Sequence, residues 1–197
     1  MMEGHMRSTL AVLAVMVPFA TMPARTPGRA PRVVVPRTVV PGIAAARDLH
    51  ADVEETIARV KKTDPGLQKF FDNAIAYAVF PGITKGGIGI GAAHGDGELI
   101  EGGHASGTCS MTQVNVGLQL GGQQYSEIIF FQGQDALNSF KDGHFAFDAQ
   151  ASAVAIASGA SANAKYRAGV VVFTQAKGGL MYEATIGGQK FGYKPKG

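Results

Sequence analysis

The sequence predicts an α+β fold: two N-terminal helices, then a mainly antiparallel sheet that is strongly curved or barrel-like, with one short inserted helix. Three observations carry this. Apolar residues recur at helical spacing as far as about residue 75 and at period 2 from there to the C-terminus. Helices and strands do not alternate as in a βαβ series, and many of the 27 glycines fall at strand positions, where they suit bends and close backbone approach.

Leu49, Val53, Ile57 and Val60 form the stripe of an amphipathic helix from about Ala45 to Lys62. Asp64 can cap a second helix with Pro65 at its first position, and Leu67, Phe70, Phe71, Ala74 and Ile75 supply its apolar face. Tyr77 to Phe80 is a short apolar run stopped by Pro81. In Gly86 to Leu99, Ile88, Ile90 and Ala92 alternate with glycines, which predicts a strand, and Asp96-Gly97 predicts a hairpin turn. Val114, Val116, Leu118 and Leu120 alternate with polar residues as the buried face of another strand. Tyr125 to Phe131 is a more apolar strand, Asp135 to Lys141 a short helix closed by Gly143, and His144 to Ala155 alternates again. Small residues fill 157–164. Val170 to Thr174, the turn QAKGG and Leu180 to Ile186 predict a closing hairpin.

Gly87, Gly89 and Ala92 also fit the spacing of a dinucleotide-binding loop. Such a loop must open a helix whose N-terminus faces the pyrophosphate, whereas a turn follows here, and Gly107 stands where the acidic partner belongs. The glycines are read as strand, and no cofactor is expected.

The formal charge is +3, but it is unevenly placed. From Arg47 onward 13 Lys and Arg face 14 Asp and Glu, so the basic excess belongs to the N-terminal region, and nucleic acid is excluded as a partner of the folded part. Residues 1–24, with Met6 as the start, read as a signal peptide: Arg7 precedes an apolar or proline run from Leu10 to Ala20. That run falls short of the roughly 20 residues of a bilayer span, and an uncleaved anchor is the alternative. Residues 25–43 are a linker or leader rich in proline, arginine and valine, and 44–197 form the domain. Secretion or residence in the periplasm follows as an expectation, with the membrane as a place of association.

Cys109 is the single cysteine, so no intrachain disulfide can form. His94, His104, His144 and Cys109 lack the paired spacing of a zinc site. The stretch GGHASGTCS offers a nucleophile without a placed base and reads as a connection between strands. Asp96, Asp135, Glu98, Glu101, Glu127 and Glu183 are dispersed, and no acid/base couple stands out. No catalysis and no metal are expected.

Three ordered blocks give the chain a family likeness. VFPGITKGGIGIGAAHGDGEL, Val79 to Leu99, resembles the signature of the SYLF domain. Val116-Gly-Leu-Gln-Leu-Gly-Gly-Gln with Ile128-Ile-Phe-Phe and Asp135-Ala-Leu resembles that family's central block, and Lys177-Gly-Gly-Leu-Met its closing turn. The likeness spans Leu49 to Tyr193. It implies a non-catalytic domain that binds anionic lipid headgroups, phosphoinositides in eukaryotic relatives. Actin binding, known in those relatives, is not expected of an exported protein. Where relatives often carry alanine and an aromatic after the signature lysine, this chain has Gly86-Gly87-Ile88. Lys85, in the signature, is the first candidate lipid contact, with Lys61, Lys62 and Lys69 around the junction of the two helices. The reading kept beside this one is an envelope module that binds a protein.

Overall fold

The computed structural model describes residues 41–88, 90–116, 123–147, 152–177 and 184–197. The expected leader, the expected linker as far as residue 40, the strand positions 117–120 and, of the expected closing hairpin, the end of the turn and most of the second arm at 178–183 lie outside the described residues, as does Gly89.

Helix α1, Pro41–Thr63, starts four residues before the expected boundary and presents Val53, Ile57 and Val60 to the sheet. Asp64 caps as its sequence context requires, but what it caps is a single 3-10 turn, Pro65–Leu67, before α2, Gln68–Asn73. Its Oδ1 accepts from the Gly66 amide at 3.1 Å and its Oδ2 from the Ser161 amide at 2.7 Å. Burial pushes the Asp64 carboxyl up in pKa, yet the hydrogen bonds from Ser161 and Gly66 outweigh it and hold the group below its ordinary value.

The strands are β1 Ala76–Ile88, β2 Ile90–Glu101, β3 His104–Val116, β4 Gln123–Phe131, β5 Ser152–Ala155, β6 Val170–Ala176, β7 Ala184–Thr185 and β8 Gln189–Pro195. They form one sheet in the order β7-β5-β6-β4-β1-β2-β3-β8, antiparallel except where β5 meets β6. Helix α3, Gln134–Lys141, is the inserted helix, followed by Gly143 at φ 71°.

The α+β class stands, and several details are corrected. Pro81 does not stop a strand: β1 runs through it because both neighbours skip it, pairing Val79 with Glu98 then Gly82 with Asp96 on one side, and Phe80 with Glu127 then Ile83 with Tyr125 on the other. A bulge is where a sheet tolerates proline. Asp96-Gly97 is mid-strand. The reversal between β1 and β2 is at Ile88 and Ile90, and the next hairpin turns on Gly102 and Gly103, both at positive φ. GGHASGTCS is therefore that turn and the start of β3. Among the described residues, β7 pairs with β5 rather than closing a hairpin on β6. Only Ser152–Ala155 of the segment 144–155 is described as strand. The final strand β8 was not anticipated.

The sheet has two ends, β7 and β8, and is not closed into a barrel. It is nonetheless strongly curled. Gln189 on β8 donates from Nε2 to Glu127 Oε2 on β4 at 3.0 Å, although four strand spacings, roughly 19 Å in a flat sheet, separate those strands. Phe80 and Phe191, on β1 and β8, bring their rings to 6.0 Å across three spacings.

Both faces are covered. The concave face packs Phe80, Ile83, Met111, Ile129 and Phe131 against Leu137 and Phe140 of α3. The other face packs Val79, Ile128, Phe130 and Phe173 against α1 and α2. Burial on both sides explains why Ile128–Phe131 of β4 is a continuous apolar run instead of an alternating one.

Candidate functional site

Three of the four candidate lysines come together at the α1–α2 junction. The Lys61 ammonium lies 4.3 Å from the centroid of the Phe71 ring, and Lys69 lies 5.0 Å from that of Phe70. Lys62, next to Lys61 in the last turn of α1, is exposed. The rings beneath the ammoniums are held edge to face: Phe71 against Tyr77 at 5.0 Å and against Phe130 at 4.8 Å, and Phe70 against Phe173 at 5.0 Å. Such cation–π contacts fix the ammoniums at the surface without neutralising them. Ile75, immediately after α2, is 41% exposed. Along α1, Asp48, Asp52, Glu54 and Glu55 precede Lys61 and Lys62 of its last turn, and Glu54 is near enough to Tyr77 that its charge, after burial, pushes the Tyr77 hydroxyl above its ordinary pKa. On α2, Asp72 is exposed and its carboxylate accepts from Gln68 at 2.7 Å.

Lys85 is elsewhere. It has the strand parity of Ile83, which is buried in the concave core, and it pairs with Ala93 and Gln123. From Tyr77, against which Phe71 packs, the strand runs roughly 25 Å to reach it. Burial pushes the Lys85 ammonium below its ordinary pKa. Thr84, of opposite parity, is exposed on the other face.

The alternating strand around Val114 faces opposite to expectation. Val114 is 68% exposed, while Gln113 is buried on the concave side and donates from Nε2 to the Gly187 carbonyl at 2.8 Å. Gln113 belongs to a buried polar group that sequence reasoning missed. Glu127 is fully buried, with Oε2 bonded to Gln189 and Oε1 without a hydrogen-bond partner; Gln189 Oε1 and Thr174 Oγ1 are likewise buried and unpartnered. Burial pushes the Glu127 carboxyl up to about 7, the bond from Gln189 opposing it. The protonated acid can donate to one of these orphaned acceptors, which an ionised one cannot. Its signal was present as an acid directly before the apolar run Ile128–Phe131 of β4.

A second unforeseen contact joins α1 to β2: His50 Nδ1 lies 2.7 Å from Glu98 Oε2, and Glu98 is buried instead of lying on a polar face. Cys109 is buried, and burial, then the charges of Glu98 and Glu101, push its thiol up to about 12, which makes it unreactive. Among the described residues no three His, Cys, Asp or Glu side chains gather as metal ligands. No described helix is long and apolar enough to cross a membrane, a statement that does not extend to strands. The strand Gly86–Gly91 region leads into β2 and not into a helix, so it lacks the N-terminus that a pyrophosphate loop uses.

Residues 112–193, from the end of β3 to β8, match the family model Ysc84, described as Las17-binding protein actin regulator. This is the SYLF family, and the match includes the central block and closing turn on which the sequence likeness rests in part. A comparison with curated proteins gave no match.

Proposed function

With a SYLF-family (Ysc84) domain over residues 112–193 as the premise, we propose that the protein is a non-catalytic module that binds anionic lipid headgroups at a membrane surface of the cell envelope. The observation that carries this reading is the α1–α2 junction, where Lys61, Lys62 and Lys69 stand beside the exposed Ile75 on an aromatic base. A basic cluster with an apolar neighbour is the surface that anionic membranes attract, at about 1 kcal/mol per lysine near the interface. Lys85, part-buried on the concave face, is left out of this surface and is a secondary contact at most.

Export to the periplasm or beyond follows from the leader reading of residues 1–24. For an exported chain, lipid is a more accessible partner than actin, although the family description names Las17 binding and actin regulation. That description supports one second reading, a module that recognises a protein of the envelope.

Co-sedimentation with phosphatidylcholine vesicles of rising phosphatidylglycerol content tests the proposal. The bound fraction should climb with anionic content and fall as salt shortens the reach of the charges. Absence of binding at every composition would overturn it, and recovery of a protein partner from detergent-solubilised envelope would then favour the second reading.

A further inference from the structure

Next to the lysine patch, where Tyr166 packs on the Phe70 ring beneath Lys69, a cleft of about 760 Å³ opens beside β6, a size usual for small-ligand sites. Among the described residues β5 meets β6 only at Phe173 and Thr174, which leaves the edge of Val170–Val172 without a strand beside it. Phe145, Phe147, Val172 and Ile186 give the cleft an apolar wall. At its margin Lys165 and Arg167 are both exposed, and the described residues that line it include no acid. Between them Tyr166 is partly buried against the Phe70 ring at 5.7 Å, and its hydroxyl is buried without a hydrogen-bond partner. Arg167 is held in place by reciprocal backbone hydrogen bonds with Val170, at 2.8 and 3.0 Å, across a turn whose Ala168 has φ 48°, a left-handed conformation uncommon for a residue with a Cβ.

We infer that this cleft is a binding site for a single-chain fatty carboxylate, its alkyl chain against the apolar wall and its carboxylate at Lys165, Arg167 and the Tyr166 hydroxyl. Apolar lining, two cations and one orphaned donor at one margin are complementary to an anionic amphiphile and to neither a neutral apolar ligand nor a cation. An extended peptide added to the sheet edge fits less well. The free edge spans only Val170–Val172 before β5 occupies it, too few residues for a ladder of main-chain bonds. The inference stands apart from the headgroup reading, since it concerns a monomeric amphiphile in solution and cations other than Lys61, Lys62 and Lys69.

The test is isothermal titration of the full chain with dodecanoate below its micelle concentration. Saturable binding near one equivalent is expected, with a Kd of about 1–100 μM. Dodecanol with the native protein, and dodecanoate with a Lys165→Glu/Arg167→Glu variant, should each bind about tenfold or more weakly, because both lose the charge-assisted contacts. The chain has no tryptophan, so Phe147→Trp provides a single reporter whose emission should shift to the blue on adding dodecanoate. No saturable heat, equal binding of the alcohol, unchanged binding in the folded charge variant, or binding without a shift of the reporter would overturn the site. Vesicle co-sedimentation is scored separately, so either reading can fail alone.

Discussion

Glu127 concentrates the residue-scale physics of the concave core. Burial lifts its folded pKa to about 7 from the ordinary 4.5, so the folded state holds the proton more tightly than the unfolded state. Its contribution to stability is therefore fully present below about pH 4.5 and is lost as the pH rises toward 7, above which the loss is complete. Glu127→Gln keeps a donor at the position and removes the ionisation. Urea unfolding should show the variant more stable than the native protein at pH 8 by on the order of 1–3 kcal/mol, with the advantage gone at pH 5. A variant less stable at pH 8 would mean that the ionised acid is accommodated. Val114 makes the opposite point. It is one of the four apolar residues of its alternating segment and is 68% exposed, so Val114→Ser should change stability by no more than about 0.5 kcal/mol in the same assay. The period-2 pattern was legible in the sequence, but the choice of face was not. That choice is set by register with β2 and β8, which brings Gln113 opposite Gln189 in the concave core.

At the scale of elements, the glycine-rich segment is explained by β1 rather than by a ligand. A Cβ on Gly97 would collide with the Val79 carbonyl and stand 2.8 Å from the Phe80 ring, and one on Gly95 would stand 2.7 Å from Ile83 Cγ1. Both glycines face the bulge that lets β1 carry Pro81 and Gly82 past its two neighbours. Gly97→Ala should cost about 1–3 kcal/mol by overpacking, read as a fall in melting temperature, and an unchanged Tm would contradict the close approach. Helix α1, the capping role of Asp64, β4 and α3 were legible because each carries a local signal: a stripe, a cap, an apolar run, a terminal glycine. The turn at Asp96-Gly97 was misread because Asp-Gly is a hairpin signal whose usual meaning yields here to tertiary pairing along the whole of β2. Strand β8 was missed because Gln189–Pro195 alternates weakly and acquires its buried residues, Gln189 and Phe191, only on reaching β3 and the curled face.

Across the whole molecule, the curled sheet separates two regions that the sequence had placed in one list of lysines. The α1–α2 junction lies on the helical face, and Lys85 lies on strand β1 with the parity of the concave face. Linear sequence could nominate both, since each is a lysine in a resembling segment, but only the strand parity and the length of β1 divide them. The central claim is that the junction, and not Lys85, meets the membrane. It is tested most directly by vesicle co-sedimentation of Lys61→Glu/Lys62→Glu/Lys69→Glu beside Lys85→Glu, with folding of both verified by thermal melting. At roughly 1 kcal/mol per lysine, the triple variant should lose at least about tenfold in affinity for anionic vesicles while Lys85→Glu stays within about twofold of the native protein. Native-like binding by the folded triple variant, or a loss in Lys85→Glu as large as that expected of the triple, would contradict the account.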